Sequence, residues 1–116
     1  MRYMMLINHD EAEMGKADWS TMAKDYAAFS AAIEKAGINY ASGERLMPST
    51  AATTVRVQAG KKSVLDGPYA DTKEQFAGYF MIDVPDLDQA IEWAARCPSS
   101  AYGSIEIRPM HAGQGS

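Results

Sequence analysis

Five apolar residues in a row, Tyr3-Met4-Met5-Leu6-Ile7, lie near the start of the chain, and both alternating sets are apolar. A strand of that kind belongs at the centre of a sheet, covered on both sides. Residues 8–16 then turn polar, with Gly15 as a breaker, and read as a loop. From Asp18 the period changes. Trp19, Met22, Tyr26, Phe29 and Ile33 recur every three or four residues, which predicts one stripe of an amphipathic helix. Asp18 is its expected N-cap, and Gly37 ends it at the C′ position.

Residues 38–47 read as extended, with a bend or bulge at Ser42-Gly43, and Pro48-Ser49 makes a turn. Residues 53–58 alternate as a strand with Val55 and Val57 on one face. Ala59-Gly60-Lys61-Lys62 resembles a hairpin turn into a short strand at 63–65. Residues 78–84 form another strand that is apolar on both faces and stops at Pro85. Asp86 then caps a second helix, with Gln89 three residues on. Leu87, Ala90, Ile91 and Ala94 form its predicted buried stripe, and Cys97-Pro98 ends it. Residues 104–108 are the last strand, with Ile105 and Ile107 on one face and Glu106 and Arg108 on the other. Residues 111–116 are small and polar and read as a flexible tail, leaving one domain at 1–110.

Two βαβ-like halves with only two helices predict an α+β, ferredoxin-like sandwich with an antiparallel sheet. Its central pair would be the two strands that are apolar on both faces. Two helices cover one face of a sheet, so the other would expose Tyr3, Met5 and Ile7, or else Met4 and Leu6. A patch of that size exceeds what a monomer usually shows. The open face is therefore expected to pack on a second copy, giving a homodimer.

Composition narrows the partners. The net charge is −4 and no Lys/Arg run occurs, so no nucleic-acid partner is expected. Cys97 is the only cysteine, so no intramolecular disulfide can form, which fits a cytoplasmic location. The apolar run at 3–7 is too short to span a bilayer, and no membrane partner is expected.

The densest chemistry lies in Asp66-Gly67-Pro68-Tyr69-Ala70-Asp71-Thr72-Lys73-Glu74, a turn followed by crowded charges. This segment, with Gly78-Tyr79, Asp83-Val84, the stretch from Ala90 to Pro98 and the closing Ile105-Glu106-Ile107-Arg108-Pro109, resembles the DGPF motif of the YCII-related family. Tyr69 stands where Phe is typical. The resemblance implies a dimeric α+β barrel in a bacterial, cytoplasmic setting, often encoded beside an extracytoplasmic-function sigma factor. The YciI branch uses a helix-borne His with an Asp partner, and one member removes chloride from a hydroxylated quinol. Counting back from Gly37, Tyr26 occupies that position, and no histidine lies in this helix. The His-Asp chemistry therefore does not carry over.

Several residues remain as candidates, each with a plainer reading beside it. Asp66 could transfer a proton at a pocket rim, or cap its own turn. Asp71, Lys73 and Glu74 could bind a polar ligand, or start a helix with Asp71 as N-cap. Arg108 and Glu106 could point into a dimer barrel, where Arg108 would grip a ligand carboxylate. Alternatively they sit on the wet face of an edge strand. They could pair with each other or with Arg56. Tyr26 and Tyr79 would line the pocket or fill the core. His9 with Asp10 and Glu13 reads as a solvated loop rather than a metal site, and Cys97 as packing. No cofactor or metal is expected. Two functions follow: a small-ligand-binding or accessory protein of a sigma-factor-linked system, or a cofactor-independent enzyme acting on a small aromatic or hydroxylated substrate.

Overall fold

A computed structural model describes residues 1–43, 45–70 and 72–111. A four-stranded antiparallel sheet has the order β2-β5-β1-β6, built from β1 (Arg2–Asp10), β2 (Asn39–Ser42), β5 (Glu74–Asp83) and β6 (Gly103–Pro109). The two long helices, α2 (Trp19–Lys35) and α3 (Leu87–Arg96), pack on one face of this sheet. The architecture is the ferredoxin-like α+β fold, and the two doubly apolar strands, β1 and β5, are its central pair. No helix among the described residues is long and apolar enough to cross a membrane.

Alternation decides which side each residue takes. Tyr3, Met5, Ile7 and His9 of β1 are buried toward the helices, and so are Phe80 and Ile82 of β5. Phe29 is the hub of the core. Its ring makes edge-on contacts with Phe80 at 5.7 Å, Trp93 at 6.2 Å and Tyr26 at 6.4 Å between centroids. Asp18 caps α2 by accepting from the backbone N–H groups of Ser20 and Thr21, and the hydroxyls of Ser20 and Thr21, then those backbone bonds, hold its carboxyl below the usual range. Asp86 caps α3 through Gln89 N at 2.9 Å.

The opposite face carries Met4 and Leu6 from β1, Phe76, Tyr79 and Met81 from β5, and Glu106 and Arg108 from β6. Leu6 stands between Tyr79 and Glu106, and Met4 between Met81 and Arg108. Neither α2 nor α3 packs over this side. Of the two sets that the sequence left open, the one on the open face is Met4 and Leu6, both half-buried.

Several expectations need correction. The segment after β1 is not a loop. The strand runs on to Asp10, which then caps a short helix, α1 (Glu11–Met14). Thr72-Lys73-Glu74 does not begin a helix, because Glu74 already pairs with Asp10 as the first residue of β5; Asp71 lies outside the described residues. Among the described residues of the extended stretch at 38–47, only Asn39–Ser42 form a strand. On α3 the buried residues are Ala90, Trp93 and Ala94, while Leu87 and Ile91 face solvent. The large indole took the inward position, which rotated the helix away from the aliphatic stripe. Of the expected tail, residues 112–116 lie outside the described residues.

The remaining strands, β3 (Thr53–Gln58) and β4 (Lys61–Asp66), form a separate hairpin. Its turn uses Ala59 at φ 50° and Gly60 at φ 77°, the paired left-handed conformation of a two-residue hairpin loop.

Candidate functional site

A bulge in β5 prepares the site. Ile7 pairs with Gly78 but Asn8 pairs with Phe76, so Ala77 is the extra residue. Two carbonyls of β5 hold the loop that follows β2: that of the bulged Ala77 accepts from Leu46 N at 2.8 Å, and that of Tyr79 from Gly43 N at 3.0 Å. A Cβ at residue 43 would sit 2.4 Å from Tyr79 O, so only glycine allows this approach. The loop so fastened presents Arg45, whose guanidinium lies 3.6 Å over the Trp19 ring.

Beneath it, between α2 and the sheet, is a cavity of about 380 Å³. Ile7, His9, Gly78 and Phe80 form its floor, and Trp19, Met22 and Tyr26 of α2 its wall. Tyr40 and Tyr79 close one side, with Arg45 at the rim and Ser99 at the far end. The lining is mostly apolar, and its few polar groups differ in state. Tyr26 shares its hydroxyl with Ser99 Oγ and lies 3.4 Å from Cys97 Sγ. Burial, then the Cys97 thiol, pushes the phenol well above its ordinary value, so Tyr26 stays protonated and serves as a fixed hydrogen-bonding wall. Burial likewise raises the Cys97 thiol, which makes it a packing group.

His9 is the outlier. It is only 7% exposed, and its Nε2 has no hydrogen-bond partner among the described residues. Burial first, then the nearby Arg45 charge, lowers its pKa below 6.5, against a smaller opposing pull from Glu11. The imidazole is therefore neutral at pH 7. The unfolded chain takes up a proton near pH 6.5 and the folded chain only at lower pH. Stability is thus full above pH 6.5 and declines as pH falls through the folded value. Wild type should lose urea resistance between pH 7 and 5, and His9→Gln should be flat across that window. An equal slope in both proteins would remove His9 as its cause.

The sequence candidates divide among separate places. Tyr26 and Tyr79 both border this cavity, although strand alternation turns the Tyr79 side chain to the open face. Glu106 and Arg108 lie on the open face, paired with each other at 3.9 Å and both largely exposed. Arg56 instead stacks on Tyr69 at 5.2 Å. Lys73 is exposed and 3.8 Å from Asp10. Asp66 is exposed at the hairpin root and does not line the cavity. Two other bonds secure its turn: Gly67 N to Ala52 O, and Thr54 Oγ1 to Gly67 O, each 2.8 Å. No group of three His, Cys, Asp or Glu among the described residues is placed to hold a metal ion.

Sequence reasoning placed His9 in a solvated loop and passed over Arg45. The signal for His9 was present: Tyr3, Met5, Ile7 and His9 continue one period of two. Ending the strand at Ile7 dropped its last inward member. Nothing local marks Arg45, which reaches the site on the loop held by β5.

The model of the YCII-related domain matches residues 1–112. An uncharacterized protein of Rhizobium meliloti (strain 1021) is 36% identical over 115 residues, spanning 95% of this chain and 92% of that protein.

Proposed function

The chain belongs to the YCII-related family, and from that premise we propose that it is a small-ligand-binding protein that works as a homodimer. The observation that carries the ligand reading is the buried, partnerless Nε2 of His9, a residue that lines the apolar cavity. A buried polar atom left unpaired costs about 1–3 kcal/mol. A ligand hydroxyl or carbonyl would supply the missing bond. Arg45 at the rim favours an anionic group, and Trp19, Tyr40 and Phe80 favour a flat ring. The volume suits a small organic molecule. The uncovered side of the sheet supports the homodimer, in which Glu106 and Arg108 face the enclosed space. A bacterial, cytoplasmic accessory role beside a sigma factor draws its support from the family resemblance alone, with the bound ligand as the input.

One feature favours a second, enzymatic reading. Neutral His9 has a ring nitrogen free to accept a proton from a bound hydroxyl, leaving an imidazolium and a ligand anion held by Arg45. His9 suits that role better than Asp66, which lies away from the cavity.

A thermal-shift screen of aromatic acids and phenols tests both. Binding to the native state at a hundredfold excess over Kd adds about 2.7 kcal/mol and raises Tm. The shift should shrink in His9→Gln and, for acids, in Arg45→Gln. No shift from any compound would overturn the ligand reading. Turnover of a binding compound by wild type, absent in His9→Gln, would select the enzyme.

A further inference from the structure

The hairpin β3–β4 stands outside the core. Eleven of its twelve strand residues are exposed. Val55 and Val64 pair directly and share one face with Val57, and the three are 57%, 57% and 67% exposed. A lone two-stranded hairpin is marginal in water, and a valine face of this kind gains by being covered. The projection also swells the molecule. Its radius of gyration is 16.1 Å, against about 13 Å for a compact chain of this length. Yet the hairpin is not loosely attached: its root is fixed by the two bonds at Gly67 and by the Arg56–Tyr69 stack.

We infer that this hairpin is a dimerisation arm, whose valine face packs on a second copy of the chain and roofs the hollow beside that copy's Glu106 and Arg108. The inference rests on the homodimer reading. Two observations point to a second copy as the occupant. The first is continuity. A hollow of about 870 Å³ runs from Leu6, Phe76, Glu106 and Arg108 on the open face to the hairpin root at Thr53. A partner seated on the open face therefore meets the arm as well. The second is charge. The hairpin carries three cations, Arg56, Lys61 and Lys62, and one anion, Asp66, for a net +2. The whole chain is at −4, so the rest of each copy is at −6. A basic arm and an acidic body attract between copies. Six residues of strand reach about 20 Å, roughly half of the 41 Å middle dimension.

Sedimentation equilibrium on wild type and on the triple variant Val55→Thr/Val57→Thr/Val64→Thr tests the arm. The swap keeps shape and strand propensity, and these side chains are exposed within one copy, so the far-UV spectrum should not change. The dimer dissociation constant should rise at least about 100-fold, since each copy loses three apolar contacts. An unchanged constant with the dimer intact would overturn the arm and leave the open-face dimer standing. A monomeric wild type at tens of micromolar would overturn both. A second readout avoids any folding defect: Val57→Cys labelled with a polarity-sensitive dye, Cys97 being buried. Its emission should shift to the blue as concentration drives dimerisation, and a constant emission would reject the arm.

Discussion

Phe29→Ala lowers the free energy of unfolding by about 3–5 kcal/mol. Phe29 sits at the middle of α2 and points at the one place where both helices and the sheet converge. Its ring touches Phe80 on β5, Trp93 on α3 and Tyr26 on its own helix. Truncation removes the apolar area of the ring and also leaves a void that three aromatic neighbours cannot close together. Edge-on aromatic pairs add about 0.5–1.5 kcal/mol each beyond area. A domain of this size has about 5–15 kcal/mol in all, so the variant should be close to the limit of folding at 37 °C. In urea the midpoint should fall by at least about 1 M. Ile91→Ala is the control, because Ile91 is 47% exposed on the outer side of α3, and its loss should stay under about 1 kcal/mol. A cost below that for Phe29→Ala would mean that the core is not organised around this ring.

The same packing explains which parts of the fold were legible. Helix α2 was readable because its cap, its stripe and its terminal glycine agree with one another. Strands β1 and β5 were readable as the central pair because both their faces are apolar, and the unpaired face followed from having only two helices. Helix α3 was harder. Leu87, Ile91 and Trp93 cannot all face inward, and the competition is settled by the space beside Phe29, which no local pattern encodes. The site was harder still. Tyr26 and Tyr79 border the cavity because aromatics on apolar strands and helices have few other places to go. His9 was lost by a strand boundary set three residues short. Arg45 arrives on a loop held by the carbonyls of Ala77 and Tyr79 of β5, a tertiary arrangement without a sequence signal. Asp66 drew attention through its turn motif, yet that turn is held by the backbone of Gly67 and the hydroxyl of Thr54.

In the proposed homodimer, Leu6→Glu should shift the protein from dimer to monomer, with a dissociation constant raised at least about a thousandfold. Leu6 is in the central strand of the open face, flanked by Tyr79 on one side and Glu106 on the other. If two copies close face to face, a carboxylate here is taken out of water beside a second carboxylate, Glu106. Burying an unpaired charge costs several kcal/mol, and two-fold symmetry applies the cost twice. A thousandfold change needs only about 4 kcal/mol. Within one copy Leu6 is only partly buried and lies opposite the core, so the monomer should keep its fold. Sedimentation should give wild type a mass twice the 12.6 kDa of one chain, and the variant a single-chain mass. Leu87→Glu, on the exposed side of α3, should leave the dimer intact. If Leu87→Glu dissociates the dimer and Leu6→Glu does not, the copies meet through their helices. The cavity under α2 would then open toward the interface, and the open sheet face would need another partner.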